Sequence, residues 1–235
     1  MKITIETPEL KVIDELLPAA QFEQVAHAVE AMEYRSTVPR TSIWRDYPEE
    51  NPLESTISMI WPSADLDVAE CAEVIAKNGL AMRLYPTGLE VDPALAAIKS
   101  EASAIEGALG KEGRDWVGFI SHTYAYGRGT RADWHADATV YTGAFTYYVH
   151  RSWDRSWGGD LLVQSPADSR EVDRGIFVSP LPNRLVLLKG GTLHSVARIS
   201  SEAGENFRRS IAGFFVTPAR AAEMMSSLLQ QTVGK

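Results

Sequence analysis

The stretch Trp116-Val-Gly-Phe-Ile-Ser-His-Thr-Tyr-Ala-Tyr126 opens the part of the chain that decides the fold. From here on the sequence consists of short apolar runs split by Gly, Pro, Asp and Asn. Strands are expected at 117–126, 144–150, 160–164, 175–178, 184–188, 195–199 and 207–216. That many short strands, with turn signals between them, indicate a sandwich or jelly roll. Thr217-Pro218 then caps a terminal helix to about residue 230, with Met225, Leu228 and Leu229 on one side.

Upstream of Trp116 the pattern is mostly helical. Residues 1–6 alternate like a short strand. Phe22, Val25, Ala26, Val29 and Met32 recur at helical spacing within 17–32, where His27 reads as a surface or packing histidine. A second helix is expected over 66–78, stopped by Gly79, and a strand over 80–85. Asp92-Pro93 supplies a cap and a first-turn proline for a third helix, which runs to Leu109 with Gly110 beyond it. Residues 34–64, rich in proline and holding Trp44, Tyr47 and Trp61, read as a long loop with short strands. Such a loop is either a substrate lid or an ordinary connection. The expected organisation is one integrated domain: residues 1–115 a helical and lid region, packed on a core of residues 116–235 that carries the C-terminal helix.

The bulk numbers narrow the function. At 235 residues, 45% apolar and 23% charged, the chain can bury a core without staples. A net charge of −8 and a pI near 5.2 argue against nucleic acid as a partner. Arg128, Arg131, Arg151, Arg155 and Arg170 form a local basic cluster that reads as a solvated loop surface. Cys71 is the one cysteine, so no intramolecular disulfide can form, which fits a cytoplasmic location. No apolar run approaches the roughly 18 residues of a membrane span, and the first residues lack a secretory core.

His135-Ala136-Asp137 and, fifty-nine residues after His135, His194 carry the chemistry. His135 and Asp137 are two apart, so on a strand they share a face. Two histidines and one carboxylate on one face of a metal leave the other positions open, which is the ligand set of non-haem Fe(II) oxygenases. A lone His-x-Asp is a weak signal. It gains weight from the later His194 and from Arg208-Arg-Ser210, each beside a strand-like run. His122 and His150 are weaker candidates: His122 reads as structural, and His150 as facing substrate or solvent.

The surrounding residues resemble a family. Ala125-Tyr-Gly-Arg-Gly129 precedes Trp134-His135, and Phe145-Thr-Tyr-Tyr-Val-His-Arg-Ser-Trp-Asp154 and Trp157-Gly-Gly-Asp-Leu-Leu-Val163 follow it. Pro182-Asn-Arg-Leu-Val-Leu-Leu188 and Arg208-Arg-Ser-Ile-Ala-Gly-Phe-Phe-Val216 close the pattern. Residues 116–216 thus resemble the prolyl-4-hydroxylase-like branch of the Fe(II)/2-oxoglutarate dioxygenases; residues 1–90 carry no resemblance of that kind. The resemblance implies a cupin-like double-stranded β-helix, mainly β with flanking helices. It implies Fe(II) on His135, Asp137 and His194, with 2-oxoglutarate and O₂ as co-substrates. An arginine suits the far carboxylate of 2-oxoglutarate because its guanidinium pairs bidentately. Arg208 and Arg209 compete for that role. The family pattern favours Arg208, two residues before the small hydroxylated Ser210 on the same face. The resemblance adds Tyr148 at the same carboxylate and Tyr126 near the iron end, where core packing is the plainer reading of Tyr126. Halogenating relatives hold Gly or Ala where Asp137 stands, so its presence implies hydroxylation, with 2-oxoglutarate decarboxylated to succinate.

Substrate-facing candidates are Trp134, Arg131, Arg151 and Trp153, with Trp157 nearby, and Arg40, Trp44 and Arg45 in the candidate lid over 35–60. An arginine there would hold a substrate carboxylate, and an indole would form an apolar wall. The expected function is hydroxylation of an unactivated C–H of a small metabolite, an amino acid or a natural-product intermediate. Desaturation or cyclisation by the same chemistry is the rival within enzymes, and a non-catalytic jelly-roll binding module is the rival outside them.

Overall fold

Arg184-Leu-Val-Leu-Leu-Lys189 is apolar on both faces because both faces of its strand are covered. Leu185 and Leu187 pack toward helices, while Val186 and Leu188 pack between two sheets. The computed structural model describes residues 1–37, 51–64, 66–164 and 175–233.

The N-terminal part contains β1 (Lys2–Glu6), β2 (Leu10–Asp14), α1 (Ala19–Glu30), β3 (Tyr34–Ser36), β4 (Leu53–Ser55) and β5 (Ser58–Trp61). It continues with α2 (Val68–Lys77), β6 (Met82–Leu84), α3 (Asp92–Ser103) and α4 (Glu106–Leu109). Then come β7 (Gly118–Tyr126), β8 (Ala132–His135), β9 (Tyr141–Tyr148), β10 (Leu161–Gln164) and β11 (Gly175–Val178). The chain closes with β12 (Arg184–Lys189), β13 (His194–Val196), β14 (Arg208–Val216) and α5 (Pro218–Val233).

Among the described residues, ten strands form a major sheet in the order β1-β2-β12-β9-β14-β7-β4-β3, with β5 and β6 joined beside β7. Four form a minor sheet, β11-β10-β13-β8. All pairings are antiparallel except β5 with β6. This is the double-stranded β-helix, mainly β with helices on one side.

Alternation sorts the side chains. On β7, Phe119 joins the core under α1 and α3, while Ile120, His122, Tyr124 and Tyr126 face the minor sheet. On β14, Ile211 and Phe215 join the helix-side core, and Arg208, Ser210, Ala212 and Phe214 face the other way. Phe22, Val25, Ala26 and Val29 of α1 and Leu95 and Ile98 of α3 complete that core, all essentially buried. No helix among the described residues is long and apolar enough to cross a membrane.

The first 115 residues are not only helical. They supply β1 to β6, which extend the major sheet at both ends. Leu10-Lys-Val-Ile-Asp14 escapes the sequence pattern because the charged Lys11 interrupts its apolar run and is buried all the same. The expected single helix over 92–109 breaks between α3 and α4. The N-cap of α3 is Val91, and Asp92 instead turns its carboxylate back to the loop. There it accepts from the Thr87 hydroxyl at 2.6 Å and from the Thr87 amide at 3.0 Å. The strand expected at 195–199 begins one residue earlier, at His194, and ends at Val196.

Candidate active site

β8 and β13 lie side by side in the minor sheet with His135 opposite His194. Pairing two strands this distant in sequence brings their imidazoles to 4.2 Å between ring centroids. Asp137, two residues past His135, reaches both. His135 Nε2 lies 3.8 Å from Asp137 Oδ1, and His194 Nε2 lies 3.9 Å from Asp137 Oδ2. All the candidate ligand atoms fall within 4.8 Å of one another.

The outer nitrogens fix the ring orientations. His135 Nδ1 donates to the Asp133 carbonyl at 2.7 Å, and His194 Nδ1 donates to the Thr192 carbonyl at 2.9 Å. In the neutral imidazole that leaves each Nε2 lone pair aimed at the shared centre, the arrangement a metal ligand requires. Burial holds the His194 imidazole below the usual histidine range, against the pull of the Thr192 carbonyl and Asp137. Two imidazoles and one carboxylate around a common point suit a non-haem iron.

The three residues line a cavity of about 420 Å³ between the sheets. Arg208 stands on the facing wall and is 2% exposed. Its Nη1 donates to the Gly159 carbonyl at 2.7 Å, and its guanidinium lies 4.1 Å from the Tyr126 ring centroid and 5.3 Å from that of Tyr148. Among the described residues its Nε has no hydrogen-bond partner and no carboxylate pairs with it. A buried guanidinium in that state is costly unless an anion joins it. A dicarboxylate co-substrate in the cavity fits. Burial pushes the Tyr126 phenol up to about 12 against the pull of Arg208, and burial raises Tyr148 too. Both hydroxyls therefore stay protonated and able to donate. Ser210 sits one step along the same face of β14, paired with Tyr148.

The Trp157-Gly-Gly-Asp160 segment explains part of this. Gly158 and Gly159 have φ of +70° and +75°, a left-handed turn that side chains resist. A Cβ on Gly159 would stand 3.2 Å from Arg208 Cδ. The turn thus presents the Gly159 carbonyl to the arginine with room to spare for neither.

Arg209 has the other orientation. It is paired with Ala125 and stacks on Phe207 at 5.4 Å, away from the cavity lining.

Of the expected substrate residues, the described ones do not line this cavity. Trp134 is 53% exposed, pointing away from its neighbour His135. Arg131 stays by β8, its Nε 3.5 Å from Asp133 Oδ1. Arg151 reaches α1 instead, bonding Glu23 at 2.9 Å and also Glu30. Trp153 is a core residue, 8% exposed, clustered with Tyr126, Ile199 and Ala203 and donating to the Gly158 carbonyl at 2.9 Å. Arg40, Trp44 and Arg45, with half of the candidate lid, lie outside the described residues. His150 faces neither substrate nor solvent: it is 3% exposed, between the Pro180 and Arg209 carbonyls.

Sequence reasoning missed Glu54, Tyr124 and Tyr141 on the wall and undervalued His122. The signal for two of them was present. Once Tyr126 faces the site, the period of two puts Tyr124 and His122 on the same face. Glu54 had no such signal, because its pairing with Tyr124 crosses seventy residues.

Comparison with known proteins agrees with this geometry. Residues 121–216 match the family model of the 2OG-Fe(II) oxygenase superfamily. No curated protein matches in sequence. A prolyl-4-hydroxylase of Pseudomonas putida has a similar fold, with a TM-score of 0.59 and 18% identity, covering 88% of this chain and 92% of that one. A Trichoplax adhaerens prolyl hydroxylase, in complex with a hypoxia inducible factor oxygen degradation domain peptide fragment, gives 0.56 and 14%, covering 92% and 87%. An oxidoreductase of the 2OG-Fe(II) oxygenase family from Burkholderia pseudomallei gives 0.51 and 10%, covering 88% and 84%.

Proposed function

We propose, for a chain whose residues 121–216 match the family model of the 2OG-Fe(II) oxygenase superfamily, that it is an oxygenase of that kind and hydroxylates an unactivated C–H of a small metabolite, an amino acid or a natural-product intermediate. His135, Asp137 and His194 hold Fe(II), Arg208 with Tyr148 and Ser210 holds the far carboxylate of 2-oxoglutarate, and Tyr126 stacks on that arginine. The observation that carries the reading is the shared cavity: three convergent ligands and, on the facing wall, a buried guanidinium with no carboxylate partner among the described residues. Bound there, iron and 2-oxoglutarate supply the activation of O₂.

The chain's own residues do the rest. The Asp133 and Thr192 carbonyls keep the imidazoles in the ligating tautomer. Tyr126 and Tyr148 shield the guanidinium from water and stay protonated. Arg208 orients the co-substrate through a two-point contact. The volume, about 420 Å³, lies in the range of small-molecule sites. A soluble intracellular setting fits the single cysteine. A peptide is the second reading, favoured by the likeness in fold to a prolyl hydroxylase described with a peptide fragment.

The test is succinate release from 2-oxoglutarate with a panel of amino acids and, in parallel, proline-containing peptides. Release should rise with at least one panel metabolite, whose product gains one oxygen. A product that instead loses two hydrogens would mark desaturation or cyclisation. His135→Ala, Asp137→Ala and His194→Ala should each lack turnover. Wild-type activity in His194→Ala would sink the metal assignment, and activity confined to the peptides would replace the small-metabolite reading.

A further inference from the structure

The cavity wall carries a second charged group, opposite in sign to Arg208. Glu54 of β4 pairs in register with Tyr124 of β7, so the two side chains project from the same face. Glu54 is 8% exposed and lines the cavity with His122 and Tyr124. Its neighbours stand off. The Tyr124 hydroxyl donates to Oε1 at 3.4 Å, His122 Nδ1 lies 3.5 Å from the same oxygen, and Arg35 Nη2 lies 3.7 Å from Oε2. The Nε2 of His122 meets the Ser58 hydroxyl at 3.1 Å. A charge-assisted bond to a carboxylate runs at about 2.7–2.9 Å, and none of these three contacts reaches it. Arg35, the one cation among them, is half exposed and outside the cavity lining. A buried carboxylate held this loosely is costly to keep unless something else completes its shell.

Among the described residues, small side chains border the space before it. Ala144, Ser210 and Ala212 are small residues on the same wall, so a ligand can lie along the sheet between the two charged groups. The chain's net charge of −8 adds a long-range attraction for cations.

We propose that Glu54, seated beside Tyr124 and His122, anchors a positively charged group of the substrate, an ammonium or a guanidinium. The assignment rests on the reading of this cavity as the substrate cavity. The substrate class it names is a basic amino acid or amine. The Tyr124 hydroxyl then orients the carboxylate, and a donor on the ligand supplies the short contact that no described residue gives it.

Calorimetric titration of the protein loaded anaerobically with Fe(II) and 2-oxoglutarate tests this. The probes are L-arginine, L-lysine and agmatine, against the neutral L-citrulline and L-norleucine. At least one cation should bind the wild type tenfold or more tightly than its neutral counterpart. Glu54→Gln should remove that preference while leaving 2-oxoglutarate affinity and citrulline binding in place. Arg35→Ala should keep or tighten cation binding, since it frees the carboxylate; a merely structural Arg35–Glu54 tie predicts the same loss in both variants. If Glu54→Gln does not fold, Glu54→Asp, which keeps the charge, should retain the preference at reduced affinity. The proposal is overturned if no cation binds, if cation and counterpart bind equally, if the preference survives Glu54→Gln, or if Arg35→Ala matches Glu54→Gln. A wild type that binds 2-oxoglutarate but shows no cation preference removes the Glu54 assignment alone. A wild type that binds no 2-oxoglutarate removes the oxygenase reading with it.

Discussion

One residue step on β14 separates two arginines with different fates. Arg208 points between the sheets, is 2% exposed and touches the Tyr126 ring. Arg209 points the other way and stacks on Phe207. That the two point to opposite faces was legible in the sequence, because a strand gives its faces to alternate residues; which of them faces inward came from the family resemblance, through Ser210. The tie from Arg208 to the Gly159 carbonyl was not legible, since it depends on how a left-handed Gly-Gly turn is placed across the fold. Breaking a buried charge-assisted pair costs roughly 2–5 kcal/mol. Arg208→Ala should therefore weaken 2-oxoglutarate binding by a factor of about thirty or more, measured as its dissociation constant under anaerobic conditions. Arg209→Ala should change it by less than about threefold. The reverse pattern would put the co-substrate on the opposite face of β14.

At the scale of elements, apolar runs bounded by turn residues were readable, β12 among them although both its faces are covered. The expected strands at 175–178 and 184–188 coincide with β11 and, within a residue, β12. β2 was hidden because the charged Lys11 interrupts its apolar run and is buried all the same. β8 was hidden because Ala132-Asp-Trp-His135 is short and polar, and only its pairing with β13 makes it a strand. The cap of α3 failed for a related reason: Asp92 found better donors in the preceding loop. Beside the pairing of β2 with β12, Asn183 in the Pro182-Asn-Arg184 turn ties the N-terminal segment to the core. Its side chain accepts from the Leu17 amide at 3.0 Å and donates to the Leu17 carbonyl at 2.7 Å. It also accepts from the Tyr147 hydroxyl at 2.7 Å, and its φ is +60°. Asn183→Ala loses these bonds and keeps a left-handed backbone, which together should cost roughly 2–4 kcal/mol. Asn183→Gly loses the same bonds without that strain, so it should be about 1 kcal/mol less damaging. Urea unfolding of the three proteins measures both. Equal stability of wild type and Asn183→Ala would show that the strand pairing of β2 with β12 fastens the segment unaided.

For the molecule as a whole, two electrostatic effects compete as the pH falls. The chain has 31 acidic and 23 basic residues, so acidification toward its pI of about 5.2 relieves net negative repulsion and favours the folded state. Most of those charges are on the surface, where solvent and salt screen them. His150 works the other way. Burial, with the Arg208 and Arg209 charges, lowers it to about 4, although the Pro180 and Arg209 carbonyls oppose the shift. An exposed histidine in the unfolded chain titrates near 6.5. Between those values the unfolded chain binds a proton that the folded chain refuses. The stability that His150 contributes is therefore complete above about pH 6.5 and drains away as the pH drops toward 4, by roughly 3 kcal/mol in all. That exceeds what screened surface repulsion returns, so the metal-free protein should be most stable above its pI. Its urea midpoint should fall between pH 6.5 and 4.5. His150→Gln keeps a donor for the Pro180 carbonyl and has no proton to gain, so its midpoint should fall much less over the same range. An acid slope unchanged by His150→Gln would assign the loss to His194, the other histidine that burial holds low.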